Sequence, residues 1–267
     1  MPERFGYWEF LIWVRTFFDT KKHEGHDMKK IGIVGGISWT STLDYYKYIN
    51  EGINHRLGGL HAAECVIYSL NFSDIQKVGW VNSFDLIYNA CEKLISCHVD
   101  AIVLGANTAH LFADEIQAHL DVPIIHIAEA TAKAIKKENL SKVGLLATKF
   151  TMEMDFYKDK LLQNNIETII PAENKDVETI QYILKNELGK GIVSEASKRK
   201  FIRFAEMLVD RGAQGIVLGC TEIPMLIHPS DVGFPVFDTT KLHVEQIVEY
   251  AITGCIPSDE SFTSKYE

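Results

Sequence analysis

Gly215-Ile216-Val217-Leu218-Gly219-Cys220-Thr221-Glu222-Ile223-Pro224 is the stretch on which the reading of this chain turns. Its apolar, β-branched run has the composition of a parallel strand buried on both faces. The run stops at Gly219, and the residues after it predict a helix through Met225 and Leu226. Cys220 then stands where a strand hands over to a helix, and the backbone N–H groups of a helix N-terminus favour a thiolate. Thr221 and Glu222 read as caps of that helix or as contacts to a ligand. A free cysteine is also an ordinary core residue, so the stretch alone leaves both readings open.

A second copy of the pattern favours the functional reading. Ala101-Ile102-Val103-Leu104-Gly105-Ala106-Asn107-Thr108 aligns with Gly215 to Glu222. The flanks repeat as well: Lys30 to Gly36 resembles Lys142 to Thr148, and Pro123-Ile124-Ile125-His126 resembles Pro235-Val236-Phe237-Asp238, at an offset of 112 to 114 residues throughout. The expected fold is therefore α/β. It has two pseudo-symmetric domains, each a mostly parallel sheet flanked by helices, with the active site in the cleft between them. Residues 28–128 with 240–267 are assigned to the first domain and 129–239 to the second. The last helix, from Thr239 to Thr253, is expected to pack back on the first half.

The net charge of −9 and the absence of a basic stripe argue against a nucleic-acid partner. An anionic substrate must then be held by local donors, because the overall field opposes it. The five cysteines, at 65, 91, 97, 220 and 255, have no metal-binding or paired spacing. An odd count without a signal peptide reads as reduced and cytoplasmic. Residues 1–27 differ in character and read as an extension, tag-like or mis-started, with the folded chain beginning at Met28. Their apolar run, Phe10 to Val14, is too short to span a membrane, and no membrane association is expected. His23 and His26 are too few ligands for a metal site.

Several other positions carry a functional reading beside a plain one. Gly35-Gly36 ends the first strand, where the backbone can approach a small ligand; the Gly-x-Gly-x-x-Gly phasing of a dinucleotide site is not completed. Arg56-Leu57-Gly58-Gly59 reads as a solvated connector or as a lid whose Arg56 reaches a carboxylate. His126 follows an apolar run and reads as a core histidine with one hydrogen bond. Further helices are expected over 82–98, from Ala109 to Leu120, from Glu129 to Lys137, and around 176–188 and 194–211.

From Met28 to about Ile252 the chain resembles the pyridoxal-independent aspartate/glutamate racemase superfamily, and within it the bacterial racemases that act on L-aspartate and L-glutamate. The resemblance rests on Ile31 to Trp39, Ile49 to Ile53, Arg56 to His61, Asn107-Thr108, Thr151 to Tyr157 and Gly219 to Ile223. It implies cofactor-independent proton exchange at the α-carbon of a small acidic amino acid, and commonly a homodimer. Two groups on opposite faces of that carbon act in turn as acid and base, while backbone and hydroxyl donors hold the carboxylates. Carried over by position, the resemblance implies Cys220 as one acid/base, with Asn107, Thr108, Thr221 and Glu222 in the substrate pocket. Ile37 and Thr148 would line that pocket, and Arg56 would be a lid contact.

Ala106 departs from the pattern, which has cysteine there, or threonine in the L-specific branch. A methyl group exchanges no proton, so symmetric two-cysteine racemisation is excluded. Three accounts stand. The position was substituted to trap a substrate complex; catalysis is one-sided, with water or a hydroxyl such as that of Thr108 opposite Cys220; or the activity has drifted. The related arylmalonate decarboxylases protonate a planar intermediate with a single cysteine, which makes a non-racemising enzyme the alternative. A binder of acidic amino acids without catalysis is a further reading.

Overall fold

The computed structural model describes residues 28–256; the expectations for 1–27 and for the tail beyond 256 lie outside them. In chain order the elements are β1 (Ile31–Gly35), α1 (Trp39–Leu57), β2 (Cys65–Ser69), α2 (Phe72–Val78), α3 (Phe84–Ile95), β3 (Ala101–Leu104), α4 (Ala113–Gln117), β4 (Ile124–Ile125) and α5 (Ile127–Lys137). The second series is β5 (Lys142–Ala147), α6 (Lys149–Glu153), α7 (Asp155–Gln163), β6 (Glu167–Ile169), α8 (Asn174–Asn186), α9 (Glu195–Asp210), β7 (Ile216–Gly219), β8 (Val236–Asp238) and α10 (Thr239–Thr253).

The strands form two four-stranded sheets, β2-β1-β3-β4 and β6-β5-β7-β8, parallel at every pairing. The internal repeat is thus a repeat of topology: β1 and β5 take equivalent places, as do β3 and β7, and β4 and β8. β1, β3 and β7 consist wholly of buried residues, as strands covered by helices on both faces must. One core holds Leu145, Val217 and Phe201 around the second sheet. The first sheet has a core on each face, one around Leu94, Ile102 and Leu104 and the other around Ile33, Ile49 and Val103. α10 packs against α1 and α5. Its Val244, Ile247 and Val248 complete the core on the α1 side of the first sheet, and Tyr250 donates to the Asp100 carbonyl at 2.8 Å.

Two helices differ from the sequence expectation, each for a local reason. The expected helix through Met225 and Leu226 is a single 3₁₀ turn, Ile223–Met225. Pro229 forces His228 into an extended conformation (φ −108°, ψ 156°), so a helix has no room to grow. The segment expected as helix from Ala109 begins as a 3₁₀ turn, Asn107–Phe112, before α4. His110 Nδ1–H donates to the Ala106 carbonyl at 2.9 Å, taking the acceptor that an α-helix would offer to the backbone N–H of residue 110. α2, capped by the Asn71 side chain, has no counterpart among the expected elements.

Gly36 fixes the turn from β1 towards α1. Its φ is +81°, and a Cβ there would lie 2.1 Å from the Leu70 carbonyl oxygen. Positive φ alone costs a non-glycine residue roughly 1–3 kcal/mol. Gly36→Ala is therefore expected to lower unfolding stability by more than about 2 kcal/mol in urea titration; an unchanged midpoint contradicts this account of the turn.

Candidate active site

The strand ends carry the candidate site residues. β7 delivers Cys220 next to Thr221 and Glu222. The Cys220 thiol donates to Glu222 Oε2 at 3.0 Å, and the Thr221 hydroxyl donates to the same oxygen at 2.7 Å. From the other half, Ser41 on the first turn of α1 places its hydroxyl 2.6 Å from that of Thr221. Burial pushes the Cys220 thiol well above its ordinary range, and the neighbouring Glu222 carboxylate pushes it further. This corrects the expectation of a depressed thiol pKa. The helix that was to supply positive potential is a single 3₁₀ turn, and the closest charged group is an anion. Cys220 therefore rests as a thiol that is partly buried but still reachable.

β3 delivers Ala106, Asn107 and Thr108. Ala106 is extended (φ −157°, ψ 142°) and brings only a methyl group. Asn107 is buried; its Nδ2 donates to Thr239 Oγ1 at 3.1 Å, and the Thr239 hydroxyl donates to the Leu218 carbonyl on β7 at 2.9 Å. Asn107 Oδ1 is buried with no partner. The Thr108 hydroxyl lies 3.1 Å from that of Thr151 and 3.4 Å from that of Thr148, which caps α6 through the Thr151 N–H. These contacts bring the end of β3 against the end of β5 and join the two halves. Ile37 is buried just after β1, beside the Gly36 turn. Arg56 is not brought to this region. It sits on the last turn of the 19-residue α1, about 25 Å along that helix from its start, in an ion pair with Glu249 of α10.

Three buried histidines stand behind β3 and β4. His110 Nε2 accepts the Ile127 N–H, and His243 Nε2–H donates to the Ile125 carbonyl while its Nδ1 accepts the Tyr45 hydroxyl. The His110 ring lies 4.7 Å from that of His126 and 5.6 Å from that of His243. Burial lowers all three, His110 to about 4 and His243 to about 3, which favours their neutral forms. His126 matches its expected place in the core and, with its Nδ1 accepting the Ala128 N–H, caps α5.

Sequence reasoning missed Ser41, Thr151 and Thr239, small hydroxyl residues that meet partners up to 180 positions away. Only their position just after strands β1, β5 and β8 marks them. It also missed Asp44 and Asp238. Burial raises both carboxyls; Glu222 adds to the shift at Asp44, and Asp44 to that at Asp238, so the two form an acidic wall that continues from Glu222. Among the described residues no three His, Cys, Asp or Glu side chains are grouped to hold a metal ion, and no helix is long and apolar enough to cross a membrane.

The sequence profile of the Asp/Glu/hydantoin racemase family matches residues 34–247. A candidate Asp/Glu racemase from Yersinia pestis is 40% identical with a TM-score of 0.79, over 85% of this chain and all of that one. An aspartate racemase homologue from Pyrococcus horikoshii is 35% identical with a TM-score of 0.75, over 84% and 100%. A glutamate racemase from Streptococcus agalactiae is 31% identical over 137 residues, 50% of this chain and 49% of that protein; the chain thus aligns with about half the length of that relative.

Replacing Glu222 by glutamine removes the negative charge that helps hold the Cys220 proton. The thiol pKa is expected to fall in Glu222→Gln, read as alkylation by iodoacetamide setting in at lower pH. An unchanged or raised pH midpoint contradicts the assigned cause.

Proposed function

The chain belongs to the Asp/Glu/hydantoin racemase family, and we propose that it interconverts L- and D-aspartate or glutamate by proton exchange at the α-carbon. The observation that carries this reading is the hydrogen bond from the Cys220 thiol to Glu222 at a strand end where the two halves meet. A protonated thiol is a proton reservoir, and Cys220 delivers its proton to a planar, carbanion-like centre. In the reverse direction it passes that proton to Glu222 Oε2 and takes the substrate's α-proton as thiolate. Asn107, Thr108, Thr148 and Thr221 line the pocket with hydroxyl, amide and backbone N–H groups that receive the charge developing on the α-carboxylate; Ile37 supplies an apolar wall. The unpaired Asn107 Oδ1 and the acidic wall of Asp44 and Asp238 suit the substrate's ammonium group. The acid–base groups in this scheme are protein side chains and water, so it calls for no cofactor. Arg56, ion-paired with Glu249, has no part in it.

Ala106 makes the two faces unequal. Opposite the thiol, the linked hydroxyls of Thr108, Thr148 and Thr151 are the groups left to relay a proton to or from water, and this relay is the slow one. The methyl group at 106 also favours a second reading, in which Cys220 only protonates a planar intermediate from one face, as in a decarboxylase. Incubation of L-aspartate or L-glutamate in deuterium oxide, with chiral analysis, separates these readings. Solvent deuterium is expected to enter the α-position, slow D-isomer to form, and both to disappear in Cys220→Ser. Ala106→Cys is expected to speed D-isomer formation at least tenfold, the equivalent of about 1.4 kcal/mol in the barrier. Exchange that persists in Cys220→Ser overturns the assignment. D-isomer formation that stays absent even in Ala106→Cys selects the one-sided reading or a non-catalytic binder.

The same reading assigns residues 28–128 with 240–267 to one domain and 129–239 to the other, in a cytoplasmic homodimer. The five cysteines are all unpaired, which suits a reducing compartment. Trp39, Leu43 and Tyr46 form an exposed stripe along α1, and Ile67 and Tyr68 lie exposed on the edge strand β2. Such a face suits an interface between copies. Light scattering at micromolar concentration is expected to give twice the chain mass; a monomer there ends this part of the proposal.

A further inference from the structure

A cavity of about 130 Å³ opens beside His110, lined by none of the residues from 106 to 108 or from 220 to 222. His126 lines it with a fixed tautomer. Its Nδ1 accepts the Ala128 N–H at 3.1 Å, so the ring proton of the neutral imidazole is on Nε2. The side chain is only 5% exposed, and among the described residues no group accepts from Nε2–H. The Nε2–H donor opens onto the cavity that His126 lines, where a ligand oxygen can accept from it. Lys160, whose charge reaches the His126 ring, lines the same cavity and is 16% exposed. It pairs with Asp114 at 2.8 Å and with Glu129 at 3.8 Å. Phe156 adds an apolar wall, and the carboxylates of Asp114 and Asp159 stand at the exposed rim.

These groups are sorted by charge. The floor offers the His126 N–H, the wall is apolar, and at the mouth the Lys160 ammonium stands against the Asp114 and Glu129 carboxylates, with Asp159 also at the rim. A carboxylate alone suits the floor but is repelled by the rim, and a simple cation has no partner at depth. We propose that this cavity is a second binding site, separate from the pocket at Cys220, for a small zwitterionic amino acid. The ligand's carboxylate accepts from His126 Nε2 and Lys160, and its ammonium lies between Asp114 and Asp159. The volume holds several waters or one small metabolite and is below that of a nucleotide pocket. The site spans both halves, because Asp114 follows β3 and Phe156 to Lys160 belong to α7. An occupant therefore bears on their relative position. His110, in ring contact with His126 and bonded to the Ala106 carbonyl, connects the cavity to the strand end at 106. Binding here is independent of the reaction assigned to Cys220.

The test is NMR of histidine-¹⁵N-labelled protein titrated with 2-aminoisobutyrate, which has no α-proton and so no turnover. Acetate and methylammonium serve as the carboxylate-only and cation-only probes. A saturable shift of the His126 Nε2 resonance is expected with the amino acid, and weaker shifts with acetate and methylammonium. Lys160→Gln is expected to weaken binding about tenfold. In His126→Asn, where asparagine keeps the helix cap, the shift followed at His110 is expected to vanish. Binding at Cys220 does not depend on Lys160, so a response unchanged in Lys160→Gln overturns the proposal. The absence of any His126 shift overturns it too, as does acetate binding as tightly as the amino acid.

Discussion

A thiol hydrogen-bonded to a carboxylate at the end of a buried strand is the constraint around which the rest of this molecule is arranged. Neither partner is cheap to hold there. Burial disfavours the thiolate, the carboxylate disfavours it again, and among the described residues no cation offsets this at the thiol. The protein meets the cost with hydrogen bonds. Glu222 accepts from Cys220 and Thr221, and Ser41 reaches across from α1 to the same group. The outcome is a protonated thiol with its hydrogen-bond acceptor already in place, the arrangement on which the proposed proton exchange depends.

The carboxyl ends of the two sheets meet through short hydroxyl and amide contacts. Thr108 meets Thr148 and Thr151, Asn107 reaches β7 through Thr239, and Ser41 meets Thr221. Each is worth little alone, about 0.5–1.5 kcal/mol net. The join between the halves at the strand ends is therefore a weak one. The apolar packing that binds the last helix to α1 and the first sheet is of another order, since each fully buried aliphatic side chain contributes roughly 1.5–3 kcal/mol. Firm packing thus lies away from the strand ends, and weak polar contact lies at them.

The two parallel sheets were legible because the repeat carries them, whereas the order of strands within each sheet comes from the structure alone. Ala101–Leu104 and Ile216-Val217-Leu218 are apolar for the same reason, burial on both faces, and the matching offset fixes which strands are equivalent. Ala106, Thr148 and Cys220 were legible as strand ends on the same ground. Less so was anything set by a single neighbour. The helix expected after Cys220 is cut to one turn by Pro229 five residues beyond Pro224, and with it goes the helix potential that was to lower the thiol pKa. Arg56 looks like a mobile cation in a glycine-rich loop, yet α1 runs through it and Glu249, 193 positions on, takes its charge. Ser41, Asp44 and Thr239 carry no local pattern, because their partners come together only when the halves meet.

In this scheme the two faces of the substrate are served unequally, a thiol on one side and only hydroxyls beside a methyl group on the other. The decisive quantity is the initial rate of α-proton wash-out in deuterium oxide, measured separately from the L- and D-forms of the same amino acid. The enantiomer whose α-hydrogen faces Cys220 is expected to exchange at least about ten times faster than the other, a difference of roughly 1.4 kcal/mol between the two barriers. Equal initial wash-out from both enantiomers would place an equally effective acid–base group opposite Cys220 and contradict this inequality.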